Sequence, residues 1–228
     1  MGYLSEHGIE AVCFDIDGTL YPKHFMDWVL FKNSFIDLPF SLKYNSMRKT
    51  VRKEDGYDNL PLTTLEEFHQ RAWKIMYPNG EKSYEYFLGK LDQLFIRRWA
   101  KDYRKVPAFK GMAEALKTLS REVKIGVMSD FPLSIKLEAL GIADVPFYAC
   151  STEDCGHLKP CGSCFDYLIA GMGIPAGKIL YVGDSERKDV MGARKAGMHS
   201  MLITGKRKVD SKADLVVHNY DEVLRALL

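Results

Sequence analysis

The chain has 228 residues, of which 46% are hydrophobic and 27% charged, and its formal net charge is +2. This is the composition of an ordinary globular protein with a substantial core, and the near-neutral charge gives no reason to expect nucleic acid or a membrane as partner. No apolar stretch is long enough to span a bilayer and residues 1–10 lack the core of a signal peptide, so we expect a cytoplasmic protein.

The first predicted element is a buried strand at residues 9–14, an apolar run interrupted only by Glu10. The sequence DIDGTL follows directly and places Asp15 and Asp17 at the end of the strand, on the same side of an extended chain. Neighbouring carboxylates repel each other unless a bound cation or a shared proton relieves the conflict. The pattern suits a nucleophilic carboxylate beside a second one that transfers protons.

The segment that follows, about residues 25–104, has apolar residues at helical spacing, for example Leu65, Phe68, Ala72 and Ile75. Prolines 39, 61 and 78 interrupt the pattern. We expect three or four helices and no strand. We interpret residues 23–104 as a helical cap inserted into an α/β core formed by residues 1–22 and 105–228.

From Gly111 onward, helical and strand patterns alternate. Strands are predicted at residues 123–128, 147–150, 179–182, 198–203 and 215–217, and helices at 111–120, 133–140, 165–172, 188–196 and 220–228. Glycines 141 and 197 stand where two of these helices end. Strands separated by helices imply crossover connections, so the predicted fold is α/β with a doubly wound parallel sheet.

Polar residues follow the predicted strands where each one ends. Open parallel sheets bind their ligands at the carboxyl ends of the strands, so these residues are expected to converge on one rim. They are two carboxylates, a hydroxyl with its acidic neighbour, a lysine and a second acidic pair, namely Asp15, Asp17, Ser129, Asp130, Lys159, Asp184 and Asp189.

This ordered set resembles the four motifs of the haloacid dehalogenase superfamily, most of whose members are magnesium-dependent phosphatases. The DIDGTL segment resembles the first motif, Ser129 the second and Lys159 the third, and residues 183–189 have the Gly-Asp-x-x-x-x-Asp form of the fourth. The resemblance covers nearly the whole chain and implies a Rossmann-like core with a helical cap between the first two motifs. Many relatives carry an acidic residue soon after the third motif, where this chain has the sequence CGSC at 161–164.

The resemblance implies a hydrolytic reaction in two displacements. Asp15 would attack phosphorus and form an aspartyl phosphate. Asp17 would protonate the leaving oxygen and then deprotonate the attacking water, a role that requires a pKa above the usual aspartate value. Dehalogenases of the superfamily lack the second acidic residue of the first motif, so the presence of Asp17 favours phosphatase chemistry.

A magnesium ion is the cofactor that this chemistry requires, because an anionic nucleophile must approach an anionic phosphate. Its expected ligands are Asp15, the backbone carbonyl of Asp17, and Asp184. Asp189 is either an outer ligand through water or the group that orients the motif lysine. The phosphoryl oxygens would be held by a hydroxyl, an ammonium group and backbone N–H groups, supplied by Ser129, Lys159 and the vicinity of Asp130.

The expected partner is a small phosphorylated metabolite of the nucleotide, phosphoglycolate or sugar phosphate type. Tyr21-Pro22 resembles pyrimidine nucleotidases weakly, and phosphoglycolate phosphatases are equally compatible. One alternative is a phosphomutase of the same superfamily, which returns the phosphoryl group to bound sugar. Another is a non-catalytic binding protein with a zinc-bound loop.

Two further groups of residues have competing interpretations. The first is a cysteine-rich loop in which Cys161-x-x-Cys164 has a zinc-knuckle spacing; unreacted thiols are favoured over structural zinc, and a disulfide is the third possibility. Two more residues of this loop, Cys155 and His157, are candidate ligands. The second group is a basic stretch in the cap, for which a solvated helix face is favoured over contact with an acidic substrate. It comprises Arg48, Lys49, Arg52 and Lys53.

Overall fold

The protein is described by a computed structural model that covers residues 2–131, 133–142 and 144–228. Its centre is a six-stranded sheet in the order β3-β2-β1-β4-β5-β6, and every neighbouring pair is parallel. The strands are β1 (Ala11–Asp15), β2 (Lys124–Ser129), β3 (Phe147–Ser151), β4 (Ile179–Gly183), β5 (His199–Ile203) and β6 (Leu215–Val217). This is the predicted doubly wound α/β sheet.

The sheet is buried on both faces, as parallel sheets usually are. Alternate side chains of β1 point to opposite faces, so Val12 and Phe14 belong to one apolar cluster and Ala11 and Cys13 to the other. Helices cover each face: α1 (Tyr3–His7), α7 (Met112–Leu119), α8 (Ser134–Ala139), α9 (Gly162–Met172), α10 (Met191–Lys195) and α11 (Tyr220–Leu227). The central position of β1 brings Asp15 to the middle of the carboxyl edge.

Residues 23–103 form only helices and the turns between them. They are α2 (Lys23–Ser34), α3 (Leu38–Asp55), α4 (Leu65–Met76), α5 (Tyr84–Leu91), a π-helical turn at Asp92–Arg97 and α6 (Arg98–Tyr103). Local signals account for several of the helix starts: Thr64 and Glu67 form a reciprocal capping box at α4, and Ser83 caps α5. The absence of strands from this segment agrees with the sequence, and its division from the core as a cap stays a prediction.

The predicted elements recur with shifted bounds. Helix α9 begins three residues before the predicted start, and the predicted helix at 188–196 is a π-helical turn, Glu186–Val190, followed by α10. Helix α1 was not predicted, because its five residues are too few to show a helical period. Among the described helices none is both long and apolar enough to cross a membrane.

Candidate active site

A pocket of about 390 Å³ lies between the carboxyl edge of the sheet and helices α2 and α3. Ser129 is fully buried beside it, with its hydroxyl 3.1 Å from the Asp17 carboxylate. The predicted convergence of polar residues on one rim is therefore observed. The other predicted site residues all line the pocket: Asp15, Asp17, Asp130, Lys159, Asp184 and Asp189.

Asp15 is held by donors on both of its oxygens. The Lys159 ammonium lies 2.6 Å from Oδ1, and the Thr19 hydroxyl donates to Oδ2 at 3.1 Å. Burial raises the pKa of Asp15 to about 7, and the charges of Asp189 and Asp17 add to this rise while Lys159 opposes it. The two donors fix the position of the carboxylate, but they do not fully compensate for the cost of burying its negative charge.

Asp15, Asp184 and Asp189, which we call the edge cluster, place one carboxylate oxygen each within 4.8 Å of the others. Burial raises the pKa of Asp184 and of Asp189, and the charge of Asp15 raises that of Asp184 further. Two cations face these three carboxylates: the Lys159 ammonium lies 2.8 Å from Asp189, and the exposed Lys23 ammonium lies 3.6 Å from Asp184. Negative charge is thus in excess, and a set made only of carboxylate oxygens is the kind of site that Mg²⁺ prefers.

Glycine is needed at position 18 because the turn after β1 packs directly against Asp184. The φ of Gly18 is +100°, in the region that favours glycine, and a Cβ at this position would lie 2.3 Å from a carboxylate oxygen of Asp184. The glycine therefore allows the turn after β1 to press directly against the edge cluster.

Asp17 points away from the edge cluster, toward Lys136. The Lys136 ammonium lies 2.6 Å from both Asp17 oxygens, and Tyr21 and Ser129 donate hydrogen bonds to the same carboxylate. Burial opposes ionisation, but these donors outweigh it and hold the pKa of Asp17 below its usual value. Lys136, which comes from another element, therefore opposes the rise in pKa that proton transfer by Asp17 requires, and the expected rise beside a bound phosphate stays a prediction.

Lys136 is the site residue that the sequence analysis missed. It is on α8, and its side chain is fully buried, with the ammonium 3.2 Å from the Ser129 hydroxyl as well. A buried lysine on a helix is the only signal that could have found it, and burial of one helical position cannot be read from its neighbours in sequence. The Ser129 hydroxyl also accepts from the backbone N–H of Phe131 at 3.2 Å.

Asp130 connects the site to its surroundings through its side chain. Its carboxylate accepts hydrogen bonds from Arg52 at 2.9 Å, from Lys188 at 3.2 Å and from the backbone N–H of Lys159 at 3.2 Å. Burial opposes ionisation, but these cations keep the pKa of Asp130 well below the usual aspartate value. The expected role of the backbone near Asp130 in holding phosphate stays a prediction.

The basic residues of α3 divide into two kinds. Arg48 is only 2% exposed, contacts Glu153 and donates to the Asp130 carbonyl at 2.5 Å, so a solvated face is the wrong interpretation for it. Arg52 and the exposed Lys49 also line the pocket, whereas Lys53 is exposed and does not. The error arose because the polar face of α3 covers a pocket rather than bulk water.

A family profile described as haloacid dehalogenase-like hydrolase matches residues 9–197. The chain belongs to this family. Glyceraldehyde 3-phosphate phosphatase of Methanocaldococcus jannaschii is 28% identical over 240 aligned positions, covering 95% of this chain and 96% of its own length. Pyrimidine 5'-nucleotidase of Escherichia coli is 25% identical over 197 residues, covering 82% of each protein.

The solved structures agree in fold. A 2-haloacid dehalogenase of Pseudomonas syringae is similar to this chain with a TM-score of 0.65 and 19% identity, and the similarity covers 96% of this chain and 97% of the other. At that identity the likeness shows the fold alone. Family membership makes this protein a hydrolase, as the motifs predicted, and the matched region contains every predicted site residue.

The cysteine-rich loop of this haloacid dehalogenase-like hydrolase lies beside the end of α3. His157 is 2.9 Å from a carboxylate oxygen of Asp55, and Cys155 and Cys164 have their sulfurs 3.8 Å apart. All five cysteines of the chain are buried and none is in a disulfide, so the disulfide interpretation is wrong, and the choice between plain thiols and a metal site stays open. We call Asp55, His157, Cys161 and Cys164 the loop cluster. Asp55 was not a candidate ligand from the sequence.

Proposed function

We propose that this hydrolase cleaves small phosphate monoesters through a covalent phosphoryl group on Asp15. The observation that carries the proposal is the edge cluster, in which Lys159 bridges the Asp15 and Asp189 carboxylates at 2.6 and 2.8 Å on the floor of the pocket. The nucleophile must be the ionised carboxylate, which the adjacent Lys159 ammonium favours, and the same ammonium is positioned for the oxygens of a phosphoryl group.

In the first step an Asp15 oxygen forms a bond to phosphorus while the bond to the leaving oxygen breaks. Asp17 gives a proton to that oxygen. The substrate-free protein holds Asp17 ionised, so the proton is taken up when the negative charge of the substrate raises its pKa. Lys136 reaches both Asp17 and Ser129, and can shift its contact from the carboxylate to the incoming phosphoryl oxygens.

In the second step water attacks phosphorus, Asp17 takes a proton from it, and the bond from Asp15 to phosphorus breaks to release inorganic phosphate. Asp17 is ionised at this point because it gave its proton to the leaving oxygen in the first step. Ser129 lies 3.1 Å from Asp17 and would hold an equatorial oxygen during both steps.

A divalent cation fits the edge cluster, whose oxygen donors belong to Asp15, Asp184 and Asp189. We assign it as Mg²⁺, which would neutralise part of the negative charge that otherwise separates the nucleophile from phosphate. Asp189 also accepts from the backbone N–H of Ser185 at 3.0 Å, so it holds the fourth motif in place as well as orienting Lys159.

The substrate is a small phosphate monoester of the nucleotide, phosphoglycolate or sugar phosphate class. Similarity to a pyrimidine 5'-nucleotidase and to a glyceraldehyde 3-phosphate phosphatase supports this range. The pocket is compatible with a compact leaving group, because its cap side presents Met26 and Leu30 beside the cations of α3.

The test is a panel of phosphorylated metabolites incubated with the protein, scored for released phosphate with Mg²⁺ and with a chelator. We expect release that the chelator abolishes and Mg²⁺ restores. Rapid acid quenching during turnover should leave phosphate attached to the chain at Asp15, located by mass spectrometry. Halide release from 2-haloacids without phosphate release, or activity that survives chelation, would overturn the proposal.

A further inference from the structure

We propose that the loop cluster binds one Zn²⁺ ion, which joins the end of α3 to the loop that carries Lys159. The ligands are Asp55, His157, Cys161 and Cys164. This site is separate from the edge cluster and goes beyond the proposed phosphatase function.

Three donor groups already converge at the site. One carboxylate oxygen of Asp55, one ring nitrogen of His157 and the Cys161 sulfur all lie within 4.8 Å of one another, and all three residues are buried. The ligand atoms of a tetrahedral zinc ion lie about 3.4 Å apart, given bonds of about 2.0–2.3 Å. Small side-chain rotations therefore suffice to place one ion between them.

The orientation of His157 is that of a metal ligand. Its Nε2 lies 3.0 Å from the Pro61 carbonyl, which can only accept, so Nε2 carries a hydrogen. Nδ1 donates to the Asp55 carboxylate at 2.9 Å, so zinc would bind at Nδ1 after displacing that hydrogen. A metal-bound histidine usually donates its other N–H to a carbonyl or carboxylate, which fixes the ring and the tautomer.

We assign Cys164 as the fourth ligand on sequence spacing, since the donor atoms that lie within 4.8 Å of one another are those of the other three residues. Cys161 immediately precedes α9 and Cys164 is in its first turn, which is the C-x-x-C spacing of many zinc sites. The Cys164 thiol is fully buried, and its sulfur lies 3.8 Å from that of Cys155. The remaining thiol of the loop, Cys155, donates to the Thr152 carbonyl at 3.0 Å and supports Cys164 from outside the set.

The surrounding backbone holds the ligands together before any ion binds. The Gly162 N–H donates to the Asp58 carbonyl at 3.0 Å, and the Thr63 N–H donates to the Cys155 carbonyl at 3.1 Å. A Cβ at Gly162 would lie 1.8 Å from the Asn59 side-chain oxygen, which shows how closely the segment after α3 packs on the loop. Such packing lowers the entropy cost of assembling a site from two distant parts of the chain.

The charges also balance. Arg71 lies 2.8 Å from the second carboxylate oxygen of Asp55. Two thiolates and one carboxylate carry three negative charges, and a divalent ion with the Arg71 guanidinium carries three positive ones. Zinc binding would displace the protons of the two thiols and of Nδ1, so affinity should fall as pH decreases.

Thiolate and imidazole donors select zinc over magnesium, which takes oxygen ligands. The experiment uses the full-length protein and Zn²⁺ or Co²⁺ as the probe. We expect one zinc per chain after dialysis of zinc-loaded protein, measured by elemental analysis. The cobalt form should show sulfur-to-cobalt charge-transfer absorption, and zinc should raise the thermal unfolding temperature.

Three variants test the ligand set. Cys161→Ser and Cys164→Ser should remove the charge-transfer band in part and lower zinc affinity by more than about 100-fold, the upper effect of losing an outer partner. Asp55→Asn preserves size and should weaken zinc without unfolding the chain. The control is Cys13→Ala, which removes another buried thiol and should retain the full zinc content.

The proposal fails if the wild-type protein retains no zinc at micromolar metal, or if cobalt binds without the sulfur band. It also fails if Cys161 and Cys164 are found joined as a disulfide in protein purified without reductant and reduction does not permit binding. These readouts do not depend on turnover, so failure here leaves the phosphatase proposal intact, and the converse also holds.

Discussion

The edge cluster and the loop cluster are both buried groups of potential metal ligands, but they are assembled differently. The edge cluster consists of carboxylates placed by β1 and the turn after β4, at neighbouring ends of one parallel sheet. The loop cluster combines a carboxylate at the end of α3 with an imidazole and thiols that lie about a hundred residues later in the chain. Sheet topology positions the first, and side-chain packing between separate elements positions the second.

This difference in assembly predicts that the two clusters differ in their access to substrate and in the effects of substitutions. Oxygen donors at strand ends form an open rim that a substrate can reach through the pocket, whereas the mixed donors of the loop cluster are enclosed by backbone. We therefore expect variants of the edge cluster to remove turnover and leave the fold, and variants around the loop cluster to act on stability and metal content. Lys159 is part of the cysteine-rich loop in sequence, but its side chain contacts the edge cluster. A variant at this position therefore tests whether the two clusters act independently.

The largest expected effect is that of Asp15→Asn. The amide cannot attack phosphorus, and removal of a nucleophile costs about 10⁶-fold in kcat in a well-studied hydrolase. We expect a loss of at least about 10⁴-fold, measured as phosphate release, with the unfolding temperature and the zinc content of the loop cluster unchanged. Turnover at the parental rate would remove the edge cluster from catalysis altogether.

Lys159→Met should have the next largest effect. The ammonium contacts both Asp15 and Asp189, and loss of one charged donor to a developing negative charge costs about 10²–10³-fold. We expect that loss in kcat, with Lys159→Arg partly active. The matched control is Lys178→Met. Lys178 is exposed, directly precedes β4 and pairs with Glu10, so this variant should retain full activity. A zinc content that fell with Lys159→Met would break the separation between the two clusters.

Lys136→Met tests the second carboxylate of the first motif. Lys136 helps to hold the pKa of Asp17 below its usual value, so its removal should raise that pKa and require a higher pH for the ionised form. We expect the pH profile of kcat/KM, which reports ionisations of the free protein, to move to higher pH and the maximal rate to fall about 10²-fold. A profile that keeps its shape while the rate falls would assign Lys136 a structural role only.

The contrast between residues placed by sheet topology and residues placed by side-chain packing also explains which site residues the sequence could predict. The rim was predictable because Asp15, Ser129 and Asp184 each follow a strand, and parallel strands end at one edge. Lys136 and Asp55 were not, because a helical pattern reports which face is apolar and does not report what a polar side chain meets across the fold. Arg48 was misjudged for the same reason, since its polar face covers a pocket.

Asp130→Asn tests how much the ion pairs of this buried carboxylate stabilise the fold. Asp130 is ionised in the fold because Arg52 and Lys188 keep its pKa well below the unfolded value. An aspartate whose pKa is lower in the folded than in the unfolded state stabilises the fold at pH values above its unfolded pKa of about 4. This contribution is lost as the pH falls toward the folded-state pKa. We expect a loss of about 3 kcal/mol at pH 7, the low end for breaking a buried pair. The loss should shrink below about pH 4 in denaturant titrations, and a pH-independent difference would contradict the assignment.

The smallest predicted effect is that of Lys49→Ala, on the same helix as Asp55 but facing the pocket. Lys49 has no ion-pair partner among the described residues, so its charge is available to a second anionic group of a substrate. Exposed pairs contribute little, so KM for such a substrate should rise at most about fivefold while kcat is unchanged. Lys53→Ala is the matched control, because Lys53 lies one turn further along α3, is exposed and does not line the pocket. Equal effects of the two variants would show that α3 attracts anions through its general charge, whereas an effect confined to Lys49 would place the distal end of the substrate beneath this helix.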